Sequence, residues 1–171
     1  MITVCLGSTC SSTAGWCKLA KSLAVAVQFE LDQIEQLLAT YAPLREAVQH
    51  TPPDVVQVTA IAAMLHSFYN GVEHLLVLIA KHGAGPLPTG AQWHRTLLDQ
   101  MSHPTAVQQA VLDAALVQRL SPYLAFRHFF RHAYSFLLSW DKIAHLLPPL
   151  LPLWADLKHA VLVFLASLET A

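Results

Sequence analysis

Apolar residues recur at helical spacing along most of the chain. Leu23, Val27, Leu31, Ile34, Leu37 and Leu38 mark a first helix over about 19–41, which Pro43 ends or redirects. Thr51-Pro52-Pro53-Asp54 reads as a helix start, with prolines at the entry. Ile61, Met64, Leu65, Phe68, Val72, Leu75, Leu76 and Ile79 then form the buried stripe of a second helix, to about Lys81. The Gly- and Pro-rich stretch 82–90 is a loop, and a short helix follows through Trp93 and Leu97 to about Met101. His103-Pro104 opens a helical stretch to about Leu120. A restart after Pro122 gives a helix over 123–138. Residues 140–147 read as a helical turn or two, and Pro148, Pro149 and Pro152 precede a last helix over 153–168. β-branched alternation and hairpin turns are absent. The expected fold is an all-α antiparallel helical bundle, a four-helix core with short extra helices.

Composition narrows the setting. With 54% hydrophobic and 12% charged residues, the chain is too apolar for disorder. Few charges remain to solvate its surface, so a partner or a self-interface is expected. The net charge of −1 gives no global attraction to nucleic acid, and any RNA contact must come from a local patch. A mean hydropathy of +0.43 raises the question of a membrane. The apolar runs 75–80, 143–155 and 161–168 are short or interrupted, so they read as core, and no membrane partner is expected. Cys5, Cys10 and Cys17 are odd in number and match no zinc spacing. Residues 1–16 lack a basic start and a long apolar run. Residues 1–18 therefore read as a disordered tail before a domain over 19–168, and the expected compartment is the cytoplasm.

The segment 123–134 carries the candidate chemistry. On a wheel of about 100° per residue with Arg127 at zero, Arg131, His128 and His132 fall at about 40°, 100° and 140°. The phenylalanines of the segment cover the other side. No acidic residue lies between Asp113 and Asp141 to neutralise this arc. Such a patch suits phosphodiester cleavage in RNA. An imidazole titrates near neutrality and can take the proton of a 2′-hydroxyl. An arginine can hold the phosphate and stabilise charge that grows in the transition state. The internal nucleophile makes a metal unnecessary and selects RNA over DNA. The plain alternative is a solvated face with no function.

Arg127-x4-His132-x-Tyr134 matches the R-x4-H-x-Y motif of the HepT-like toxins, in the HEPN ribonuclease superfamily. His128 fits the habit of a polar residue directly after the arginine. Tyr69-Asn70-Gly71-Val72-Glu73, the stretch from Leu87 to Leu98 and Ser139-Trp140-Asp141-Lys142 resemble the flanking parts of that family. The resemblance implies a homodimer with a composite cleft that cuts RNA without a metal, with Arg127 and His132 catalytic. It also implies a cognate nucleotidyltransferase antitoxin that adds AMP to the motif tyrosine, here Tyr134. His128, Arg131, Glu73 and Asn70 would support RNA binding. A non-catalytic module of the same fold, which binds a nucleotide or a partner protein, is the alternative.

Other residues leave two readings open. His66, Asn70 and Glu73 share a helix face at i, i+4, i+7. They are either a polar wall of the cleft, with Glu73 holding an arginine or histidine, or a solvated stripe. His128 and His132 have the spacing of a metal pair, yet no carboxylate or cysteine within their helix completes a set, so no metal or other cofactor is expected. Trp93-His94 reads as a packing anchor.

Overall fold

The computed structural model describes residues 10–83, 87–104 and 109–169, and they are all-α, without a strand. Seven α-helices follow one another: α1 (Cys10–Thr40), α2 (Ala42–His50), α3 (Val55–Gly83), α4 (Trp93–Gln100), α5 (Ala114–His132), α6 (Trp140–Ile143) and α7 (Leu150–Glu169). α1, α3, α5 and α7 form the bundle. Each packs on the next, and α7 closes back on α1. Ile34 meets Gly71 while Glu30 faces His74, so α1 and α3 run antiparallel. Residues 1–9 of the expected tail lie outside the described residues, as do 84–86 of the loop and 105–108 of the stretch after Pro104. α1 begins at Cys10, nine residues before the expected start.

Local chemistry explains the helix ends. Asp54 and Gln57 cap α3 reciprocally: the Gln57 amide donates to Asp54 Oδ1 at 2.8 Å, and the Asp54 amide to Gln57 Oε1 at 3.0 Å. Pro43 opens α2, a helix that the sequence pattern did not show, because its missing N–H costs nothing in a first turn. α5 departs most from expectation. It starts at Ala114, where the Asp113 carboxylate accepts from the Leu116 amide at 2.7 Å. It runs unbroken through Pro122, where a restart was expected, because buried Leu120 and Tyr123 hold both sides of the proline to the core. It ends at His132, not at 138. Ala133 is extended, and Ser135–Leu137 form a 3-10 turn. This turn lets the chain double back, so that Ile143, Leu146 and Leu150 enter the core. The Tyr123 hydroxyl fastens the returning strap by donating to the Leu146 carbonyl at 2.7 Å.

Phe68 of α3 sits at the centre, edge-on to Tyr123 of α5 and to Trp154 of α7. Both α3 (Val55–His82) and α7 (Leu150–Leu168) are long and apolar enough to cross a membrane, which corrects the reading of those runs as short or interrupted. Here the stripe of α3 is buried against its neighbours instead: Ile61, Leu65, Phe68, Val72 and Leu75 are all fully enclosed. Gly71 is where α1 comes closest. A Cβ there would meet Ile34 Cγ1 at 2.6 Å and Cδ1 at 2.9 Å. Gly71→Ala is therefore expected to destabilise the fold, since overpacking costs about 1–3 kcal/mol against a helix-propensity gain of about 1 kcal/mol. In an Ile34→Ala background the clash is gone and the same substitution should stabilise. Urea unfolding of the four proteins of this cycle reads the sign in each background.

Candidate functional site

Three helices meet at a buried polar cluster. α3 presents His66, Asn70 and Glu73 on successive turns. α5 lays down a buried stripe of Leu116, Leu120, Tyr123, Phe126 and Arg127. α4 brings His94, which stacks on Trp93 with ring centroids 3.7 Å apart. Arg127 Nη2 donates to Glu73 Oε2 at 2.8 Å, and its Nε donates to Asn70 Oδ1 at 2.7 Å. The other oxygen of Glu73 accepts from Nδ1 of His94. Arg127 Nη1 lies 3.3 Å from His94 Nε2. The Glu73 and Arg127 side chains are only 7% and 10% exposed, so their charges compensate each other largely out of water.

These bonds fix protonation states. Arg127 has only donors, so the nitrogen of His94 that faces it must carry a lone pair, and the proton sits on Nδ1 towards Glu73. Protonation of His94 would place two donors face to face. Burial lowers the His94 pKa, and the guanidiniums of Arg127 and Arg131 oppose the pull of Glu73. The bond from Arg127 Nε to the Asn70 oxygen turns the Asn70 amide group towards His66, whose Nδ1 lies 3.3 Å away. That ring must accept, so its neutral form is favoured. Burial first, then Arg127 and Arg131, lower the His66 pKa. His66 also packs on Phe130 with ring centroids 4.8 Å apart.

The residues singled out in the sequence separate into two groups. Glu73, Asn70 and Arg127 come together inside. The solvated-stripe reading of His66, Asn70 and Glu73 is overturned: Glu73 holds an arginine and a histidine at once. Arg127 does not lie opposite the packed face of α5 but continues it. Its counter-charge comes from α3, which a survey of acids along α5 alone could not find. His94 was read as a packing anchor and is a member of the cluster. Its spacing from the other members gives no sequence signal, because α4 is a separate helix. The second group, His128, Arg131 and His132, is exposed on the last turns of α5. The rings of His128 and His132 stand 4.9 Å apart. Arg131 makes no ion pair among the described residues. Tyr134 was expected within the helix over 123–138. It lies past the end of α5 and is 72% exposed, so the wheel does not place it.

A sequence profile for a family described as HepT-like protein matches residues 60–168. The chain belongs to the HepT-like family. No curated protein and no solved structure matches it. The match begins within α3 and covers every member of both groups, whereas α1 and α2 precede it.

Two outcomes test this description of the HepT-like cluster. Glu73→Ala leaves the buried Arg127 guanidinium without its carboxylate, and unfolding should be easier by about 3–5 kcal/mol. Replacing both charges, as Glu73→Leu with Arg127→Met, should recover most of that loss. The second outcome concerns pH. His94 and His66 are depressed below the ordinary 6.5 in the folded chain. The unfolded chain therefore binds more protons below that value, and stability is full above about pH 6.5 and declines as pH falls. Denaturation midpoints measured across this window should flatten in His94→Gln.

Proposed function

We propose that this HepT-like chain is a metal-independent endoribonuclease, the toxin of a pair whose antitoxin is a nucleotidyltransferase. The observation that carries the reading is the end of α5. His128, Arg131 and His132 stand exposed and, among the described residues, without a carboxylate partner, on the same helix as an arginine that Glu73, Asn70 and His94 anchor. His132 and Arg127 occupy the motif positions. In the proposed reaction one imidazole takes the proton from a ribose 2′-hydroxyl, and O2′ attacks the adjacent phosphorus. The P–O5′ bond breaks and a second imidazole, protonated, delivers its proton to O5′. His128 and His132, with rings 4.9 Å apart, are close enough to serve as this pair within one protomer. Arg131 is the guanidinium open to a phosphate. Arg127, with each nitrogen engaged, acts by holding the end of α5 in place.

A homodimer fits a lightly charged surface and a split cationic set, and two-fold pairing is the commonest closed assembly. The exposed hydroxyl of Tyr134 fits attack on the α-phosphorus of ATP held by the antitoxin, with pyrophosphate leaving. The AMP added there would put a phosphate beside Arg131 and His132 and compete with RNA. The cytoplasm is the compartment where both RNA and ATP are at hand.

Purified protein should cut RNA in EDTA and leave 2′,3′-cyclic phosphate ends. His132→Ala and Arg127→Ala should each abolish this, and undiminished cleavage by either variant overturns the assignment. Tyr134→Phe should stay active but escape neutralisation on co-expression with the nucleotidyltransferase. Intact-mass spectrometry should show added AMP on the parent chain alone.

A further inference from the structure

Two aromatic rings past the end of α5 are left unused by the fold. Tyr134 and Phe136 are 72% and 77% exposed, and their rings are stacked, with centroids 5.6 Å apart and planes inclined by 11°. Other exposed apolar side chains, such as Val25 and Phe29 on α1 or Leu162 and Val163 on α7, lie on helix faces. These two stand on the turn Ser135–Leu137, which the Leu137 amide closes by donating to the Tyr134 carbonyl at 2.9 Å. Basic side chains flank the turn in sequence. Arg131 and His132 immediately precede the turn. After it, Lys142 approaches the Leu137 carbonyl at 3.5 Å and lies over the Phe129 ring at 5.4 Å. Asp141 is the one carboxylate between residues 114 and 155.

We propose that Tyr134 and Phe136 form a nucleobase subsite for single-stranded RNA. A base stacks on the outer face of the ring pair while Arg131 and Lys142 meet the phosphates on either side. Parallel exposed rings with Arg131 before them and Lys142 after them in the chain fit this ligand class, because every base has a face to stack and every linkage a charge to neutralise. The rings already contact each other, so the base adds to the stack from outside and does not intercalate. Both faces of a base within a duplex are covered by its neighbours, which excludes double-stranded RNA from this platform. The subsite deepens the ribonuclease reading and rests on it, for it names the form of RNA that enters the cleft.

The test uses a 2′-O-methyl oligonucleotide of about 12 residues, long enough for one binding site and unable to be cut because its 2′-oxygens are blocked. Fluorescence anisotropy should show Phe136→Ala weakening its binding about tenfold, with Phe136→Trp retaining it. The same oligonucleotide annealed to its complement should bind weakly and respond to neither substitution. Equal affinity for the parent and Phe136→Ala overturns the subsite. So does light scattering that shows Phe136→Ala converting a dimer to a monomer, which would assign the rings to a contact between two copies. Cleavage of unmodified RNA separates this proposal from the one it rests on. Binding that depends on Phe136 without cleavage by the parent leaves the subsite standing and removes the ribonuclease. Cleavage with binding indifferent to Phe136 does the reverse.

Discussion

The pairing of Arg127 with Glu73 is the constraint around which the candidate site is arranged. Two opposite charges nearly out of water tolerate no drift, because either one alone would be costly to bury. Their bond fixes the last turns of α5 against the middle of α3. Glu73 has a second oxygen, and it recruits His94 from α4. Arg127 has a third donor, and it orients Asn70 and through it His66. One ion pair thus sets the tautomer of one histidine, the acceptor role of another and the rotation of an amide. Everything that α5 exposes to solvent is placed by what it hides.

Much of this was legible in the sequence, for definite reasons. The stripe from Ile61 to Ile79 has a single periodicity over many turns, and the helix it predicts exists almost to the residue. The motif residues Arg127 and His132 both fall on α5. The limits come from tertiary partners. The period of α5 alone cannot say that Arg127 faces inward, since an arginine on a buried stripe makes sense only once a carboxylate from another helix is known. Nor can the residues after His132 announce the end of α5. Phe136, Leu137 and Leu138 suit a helix locally, and the chain turns because the strap behind them must reach the core. Pro122 misled in the opposite sense: a local helix breaker is overridden when the residues beside it are firmly packed.

The two groups also divide labour by their contact with water. The inner one is fully bonded, and its histidines are held neutral. The outer one is exposed to solvent, and among the described residues its guanidinium makes no ion pair. A chain with little net charge can in this way keep Arg131 open at the end of α5, because Glu73 is turned inward to Arg127 and His94.

The turn of α3 from Asn70 to Glu73 serves two neighbours at once. Gly71 faces α1 at a distance that admits no side chain, while Asn70 and Glu73 reach across to α5. The spacing of α1 therefore sets the depth at which α3 sits, and that depth decides whether Asn70 and Glu73 can span the gap to Arg127. α1 lies outside the segment that matches the family profile, yet it acts on the site as a backstop. A change of side-chain volume at Ile34, on the far side of the bundle, therefore bears on the site through the seat of α3.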